Sequence, residues 1–197
     1  GEGSGLRYSV NGNLSTIRNE LLDLDAFTSD FILHGNDLRG TIRPFRSEAG
    51  QPLYSYWLIP TDGIFQNQAE IEAHVGPNGN RIQPNARPGD LRFRDVSGDG
   101  RITDDDRIFM GNAMPDFTYG FNINLEYKNF DFMFFGQGVG GVQLFNGYKH
   151  TAYNAGLQGY NLDRRVLDAW RPDNPNASIP VLSTLDPNGN FGQPSDW

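Results

Sequence analysis

The sequence predicts an all-β protein with a few long antiparallel strands, separated by loops much longer than the strands themselves. Three observations carry that prediction. Residues 117–134 alternate apolar and polar side chains almost without error, the period-2 signature of strands with two unlike faces. The hydrophobic fraction is only 37%, with 24 Gly and 12 Pro, which suits a loop-rich β protein better than a helical one. The segments run strand, very long loop, strand, tiny turn, strand, very long loop. A membrane β-barrel has that asymmetry, with short turns on one side and long loops on the other. From pattern alone, a soluble antiparallel sheet with one buried face gives the same alternation and is the commoner structure.

The first strand is expected near residues 6–20. Leu6, Tyr8, Val10, Gly12 and Leu14 share one parity, and Arg7, Ser9, Asn11, Asn13 and Ser15 the other. Residues 17–24 have mixed character and either finish the strand or form a short turn of helix. A long loop near 25–115 follows, containing Thr41-Ile42-Arg43-Pro44 and the aromatic run Leu53-Tyr54-Ser55-Tyr56-Trp57. Within it, Asn67 to His74 is expected to give one or two turns of helix, and Gly76-Pro77-Asn78-Gly79-Asn80 is turn chemistry.

Strands near 116–128 and 130–140 make the clearest ribbon. Phe117, Tyr119, Phe121, Ile123, Leu125 and Tyr127 occupy one face, and Phe130, Phe132 and Phe134 restart that register beyond a tight turn assigned to Asn129. Asp131 and Gln137 lie opposite. A second long loop near 141–197 holds one candidate helix, Asn161 to Trp170, with Leu162, Val166, Leu167 and Trp170 on one face and Arg171-Pro172 ending it.

Composition removes several functions. A formal charge of -8 argues against nucleic acid, which needs a basic face. No cysteine is present, so a disulfide-stapled scaffold is excluded. No run of about 18 apolar residues exists for a spanning helix, whereas a barrel strand needs only about 9–11 residues, half of them polar. The opening Gly1-Glu2-Gly3-Ser4-Gly5, without Met, and the end at Ser195-Asp196-Trp197 read as a piece of a longer protein.

The most specific motif is Asp95-Val-Ser-Gly-Asp-Gly-Arg-Ile-Thr-Asp-Asp-Asp106. Calcium needs six to eight oxygen ligands on a sharply turning backbone. In loop order Asp95 takes position 1, Ser97 position 3, Asp99 position 5, the Arg101 carbonyl position 7 and Asp106 position 12. Gly100 at position 6 permits the turn. Ser97 in place of Asp or Asn, and Asp106 in place of the longer Glu, weaken the site. Outside a cell it would still fill, since modules there work at roughly 10⁻⁴–10⁻³ M. The ion's expected role is structural. A dockerin needs two such loops, each followed by a helix, and Met110 to Pro115 cannot sustain one.

Larger stretches carry a resemblance. They are Pro88-Gly89-Asp90-Leu91-Arg92-Phe93-Arg94 running into that loop, Gly111-Asn112-Ala113-Met114-Pro115-Asp116-Phe117, Phe134-Phe135-Gly136-Gln137-Gly138-Val139, and Trp170-Arg171-Pro172-Asp173-Asn174-Pro175. With Asn13-Leu14-Ser15-Thr16-Ile17-Arg18-Asn19, Gly50-Gln51-Pro52-Leu53 and Asp62-Gly63-Ile64-Phe65-Gln66, they resemble, in family order, the SusC/RagA-type TonB-dependent outer-membrane transporters of Bacteroidota. The resemblance implies a segment of the C-terminal part of a plugged barrel of roughly 22 strands, about three of them present and the plug absent. It implies location in the outer membrane and contact with its lipid. The Lys128-Asn129 turn would be periplasmic, and loops 25–115 and 141–197 extracellular. It also implies a SusD-like lipoprotein capping the mouth, an oligosaccharide or peptide cargo, and a TonB complex engaged through the missing N-terminal part.

Tyr54, Tyr56 and Trp57 are then candidates for stacking on substrate sugar rings, with Phe65 beside them. The commoner use of such residues is to pack a long loop on itself, and that use is preferred. Gly136 to Gly141 lacks the Lys-Ser/Thr and helix of a phosphate loop, and glycines at the top of a barrel strand account for it better. His34, His74 and His150 have no ligand spacing, and no nucleophile–base arrangement is visible. The chain therefore reads as non-enzymatic. The competing reading is a secreted or surface-attached calcium-dependent carbohydrate-binding module.

Overall fold

A computed structural model of the chain describes residues 5–24, 30–34 and 42–197. In chain order the elements are β1 (Arg7–Thr16), β2 (Phe31–His34), β3 (Phe45–Glu48), β4 (Ser55–Leu58), β5 (Thr61–Ile64), α1 (Gln68–Ala73), β6 (Leu91–Phe93), β7 (Ile108–Asn112), β8 (Phe117–Tyr127), β9 (Phe130–Gly140) and α2 (Tyr148–Ala152). No helix of the described residues is long and apolar enough to cross a membrane. Thr41 and the expected start of the first long loop at Asp25 lie outside the described residues.

The three long strands form one antiparallel sheet in the order β1-β8-β9. Their register runs without a break, from Arg7 opposite Glu126 to Thr16 opposite Phe117, and from Tyr127 opposite Phe130 to Phe117 opposite Gly140. The strands expected near 6–20, 116–128 and 130–140 are thus present, β1 ending at Thr16. Residues 17–24 take neither helix nor strand. Both long loops leave from the end of the sheet where Phe117 pairs with Thr16 and Gly140, opposite the 128–129 turn. That turn differs from expectation in one detail, because its left-handed residue is Lys128 (φ 55°) rather than Asn129.

The sheet is unusual in that neither face is covered by the described residues. Tyr8, Val10 and Leu14 are 63–73% exposed, and Phe130, Phe132 and Phe134 59–69%, all on the face they share with Phe117, Tyr119 and Phe121. At the loop end of this face, aromatics lie over glycines. A Cβ on Gly136, Gly138 or Gly140 would sit 2.4, 2.5 or 2.2 Å from the side chains of Phe121, Tyr119 and Phe117. The strand-top glycines therefore make room for cross-strand rings, the close packing that glycine in a strand serves.

The opposite face carries polar pairs, with Asn124 donating to the Ser9 hydroxyl (3.0 Å) and Arg7 beside Glu126 (3.8 Å). It is less polar on β9 than Asp131 and Gln137 imply, since Met133, Phe135 and Val139 share that side and are well exposed.

The two long loops are not loose. Together they make a packed unit with its own cores, built on a four-stranded sheet in the order β2-β3-β4-β7 and the β5-β6 pair. One cluster joins Ala152, Tyr153, Val166, Ala169, Ile179 and Phe191. A second joins Ile59, Leu91 and Phe93, and a third Phe65, Ile71 and Ala86. Helix α1 falls where the Asn67–His74 stretch is expected, and the Asn67 side chain caps it by accepting from the Glu70 amide (3.0 Å). The expected Asn161–Trp170 helix shortens to a 3₁₀ turn, Arg164–Asp168, capped by Asp163. Val166 and Trp170 are buried as expected, but Leu162 and Leu167 face outward. The tighter 3₁₀ spacing does not keep all four on one face.

The loops are bound to one another across long sequence separations. Ile59 pairs in parallel with Ser195. Buried Asp90 accepts from Asn190 (2.7 Å), and Val181 donates to the Gly89 carbonyl (2.8 Å). Gly89 has φ 94°, and a Cβ there would lie 2.4 Å from the Trp170 ring, so glycine is required.

Candidate functional site

The Asp95–Asp106 loop follows β6 and precedes β7, and its path is set by carboxylates accepting backbone N–H groups. Asp95 Oδ1 accepts from the Gly98 amide (2.7 Å) and the Ser97 hydroxyl (3.2 Å), and Oδ2 from the Gly100 amide (2.8 Å). Gly98 (φ 74°) and Gly100 (φ 83°) take the left-handed conformations that bring those amides round. Asp99 Oδ1 accepts from the Arg101 amide (2.8 Å). Burial works to raise the Asp95 pKa, but bonds from Gly100, Gly98, Ser97 and Asp99 outweigh it and hold the carboxyl below the usual range.

Asp106 closes the loop. It is fully buried, accepts from the Val96 (2.9 Å) and Ser97 (3.0 Å) amides with Oδ1, and from the Thr103 amide (2.7 Å) with Oδ2. Thr103 in return takes the Asp105 amide on its hydroxyl (3.2 Å), so a reciprocal cap starts the 3₁₀ turn Asp104–Asp106. The four-residue spacing Thr103-x-x-Asp106 is a capping signal readable in the sequence, and it was the missed element of this site. Asp104 and Asp105 are exposed, as a solvated charge run should be.

Arg107 is the second missed residue. It is 5% exposed and donates to the Trp57 carbonyl through Nε (2.9 Å) and Nη2 (2.7 Å), and to the Arg43 carbonyl. It clamps the loop's end to β4. From the other side, the 76–80 turn packs so closely that a Cβ on Gly76 would lie 2.5 Å from the Gly100 Cα.

For a calcium ion, the donor types are right and the backbone turns as required. Each carboxylate oxygen has two lone pairs, so Asp95 Oδ2, Asp106 Oδ2 and the Asp99 oxygens keep acceptor capacity, with the Ser97 hydroxyl and Arg101 carbonyl as neutral donors. Among the described residues, however, no three acidic, His or Cys side chains already converge on one point. The loop as it stands is closed by N–H bonds.

The aromatic candidates separate. Tyr56 is 4% exposed, its hydroxyl donates to the Gln143 carbonyl (2.8 Å) and accepts from the Phe145 amide (3.0 Å), and its ring lies against Phe45. Trp57 is half-buried between Phe109 (4.7 Å) and the Arg46 guanidinium (4.3 Å). Tyr54 is 47% exposed at φ 57°, against His34 (4.4 Å). The three do not form one stacking platform. Phe65 is fully buried beside His74.

No family model matches the chain. Among curated proteins, it is similar to three from Formosa agariphila. It is 31% identical over 169 residues to TonB-dependent receptor P26, covering 85% of this chain and 16% of that protein. It is 32% identical over 131 residues to TonB-dependent receptor P3, covering 66% and 12%. It is 29% identical over 113 residues to TonB-dependent receptor P39, covering 56% and 11%. The chain thus spans less than a fifth of the length of each.

Proposed function

The chain is a segment of a TonB-dependent receptor, and from that premise we propose that it forms part of the barrel wall and two outer loops of an outer-membrane nutrient importer of the SusC/RagA type. The observation that carries this reading is the β1-β8-β9 sheet. Its apolar face is exposed along strands of 10–11 residues, the length that spans an outer membrane. In water such a face would be a large aggregation-prone patch, whereas against lipid it is the expected surface. The bare edges of β1 and β9 are where neighbouring barrel strands would pair.

In this reading the 128–129 turn is periplasmic and the packed loop unit lies outside the cell. The loop unit's role is recognition and docking rather than catalysis. Its partners would be a SusD-like lipoprotein at the mouth, a glycan or peptide oligomer as cargo, and TonB through parts beyond this segment. Calcium held by Asp95, Ser97, Asp99, the Arg101 carbonyl and Asp106 would brace the loop's own turns, a structural role. Tyr54, the exposed member of the aromatic run, would be the one to meet a substrate.

The test uses single cysteines introduced into the full-length receptor at Asn129 and at Leu185, which is 74% exposed, labelled in intact cells with a membrane-impermeant maleimide. Labelling at Leu185 and none at Asn129 until the outer membrane is opened supports the reading. A receptor found in the culture medium, or one labelled at Asn129 from outside, overturns it.

A further inference from the structure

Next to the acidic loop lies a cleft of about 610 Å³, between the 78–85 turn, the wall Gly100-Arg101-Ile102 and the segment 187–193. That volume is typical of a small-molecule site. The chain carries a net charge of -8, yet this cleft is lined by two arginines, Arg81 and Arg101, and by no Asp or Glu. Both arginines are exposed, and neither has an ion-pair partner among the described residues. Arginines 46, 87, 94, 107, 165 and 171 of the loop unit stand within ion-pair distance of a carboxylate, whereas Arg92 and Arg164, like the two in the cleft, have none so close among the described residues.

The remaining lining sharpens the chemistry. Asn80, Asn85 and Gln193 present carboxamides that no other described side chain engages, each offering both donors and acceptors. Gln83 is buried and already spent, donating to the Leu91 carbonyl (2.9 Å) and Asn188 (2.8 Å) and accepting from the Phe93 amide (2.8 Å), so it fixes the floor. Ile102 is partly exposed and adds apolar surface there, while Phe93, 1% exposed, belongs to the core beneath. Guanidinium groups favour carboxylate or sulfate oxygens through paired N–H bonds, amides favour hydroxyls, and an apolar floor favours the C–H face of a ring.

We propose that this cleft binds an acidic oligosaccharide, with Arg81 and Arg101 on its anionic group and the carboxamides on its hydroxyls. The proposal rests on the reading that these loops face the outside of the cell, and it narrows the cargo of that reading to one class. The side chain of Arg101 serves the cleft while its carbonyl stays available to the loop, so replacing the side chain leaves the loop's donor set intact.

Isothermal titration of the full-length receptor in detergent tests it with three probes: tetragalacturonate, a sulfated galactan tetrasaccharide and neutral cellotetraose. The expected result is binding of at least one acidic probe, with R81Q and R101Q each weakening it about tenfold, as loss of one charge-assisted contact does. R81K and R101K, which keep the charge but lose the fork, should fall between, and they separate ligand contact from misfolding. Which acidic probe binds identifies carboxylate or sulfate as the anion. Equal binding of cellotetraose, binding by neither acidic probe, or wild-type affinity in the R81Q/R101Q double variant overturns the proposal. Cysteine labelling keeps the two readings apart. A receptor whose loops label from outside but which binds no acidic probe loses the cleft alone, and one that binds with its loops inaccessible loses the topology alone.

Discussion

Asp106→Ala removes the acceptor for three backbone N–H groups at once, those of Val96, Ser97 and Thr103. Each buried donor left without a partner costs about 1–3 kcal/mol. Val96 and Ser97 are exposed enough for water to replace the carboxylate in part, while Thr103 is half-buried. Counting between one and two amides at full cost gives about 2–4 kcal/mol, or roughly 30- to 700-fold in the local opening equilibrium. The assay is hydrogen exchange by mass spectrometry on the full-length receptor, following peptides that cover residues 90–110. The variant should exchange faster there by that factor and nowhere in the sheet. Asp106→Asn keeps one oxygen but sets an NH₂ group against the Thr103 amide, so its effect should concentrate at Thr103. Millimolar calcium should slow exchange in the wild type and leave Asp106→Ala unchanged. Exchange in Asp106→Ala within about threefold of wild type, with the calcium response intact, would refute the reasoning.

Two further outcomes are expected. Gly138→Ala puts a methyl group about 2.5 Å from the Tyr119 hydroxyl and should lower the barrel's heat-resistance on gels, an overpacking cost of about 1–3 kcal/mol that largely vanishes in a Tyr119→Ala background. His74 is half-buried with Nε2 3.1 Å from the Phe93 carbonyl, and burial, partly offset by that bond, holds its pKa below the usual 6.5. The unfolded chain therefore takes up a proton at a pH where the folded one does not. Stability present above about pH 6.5 is lost as pH falls through the folded value. His74→Gln should flatten that slope in melting temperature between pH 7 and 5, and an unchanged slope would dismiss His74 as its source. Asp90, whose carboxyl burial raises, slopes the other way and is untouched by the variant.

The long strands were legible because both of their faces are chemically marked, so one alternation fixed strand, register and neighbour together. The short strands were not. β4 has four residues and pairs with β7 at least 50 positions later, and no period is visible in so few residues. Lys128 in the left-handed position ran against the usual preference for Asn, because the hairpin's register left it the place. In the acidic loop, the residue types and glycines announced the backbone path correctly. The capping role of Thr103 was available in the spacing but masked by the stronger metal-loop pattern. Arg107 looked like another charge in a polar run. Its burial depends on the carbonyls of Arg43 and Trp57, which only the folded chain brings beside it.

The parallel pairing of Ile59 with Ser195 bears on the order in which the molecule is assembled. Thr61 receives its partner Asp196 from 135 positions away, and the Leu91 amide waits for Asn190 from 99. Contacts so distant in sequence are slow to form and leave their groups solvated until both halves are present. The first loop therefore cannot finish folding until the last residues of this segment have been delivered. A chain stopped before residue 190 would keep β8 and β9 yet leave the first loop's interior open, a ready target for proteases.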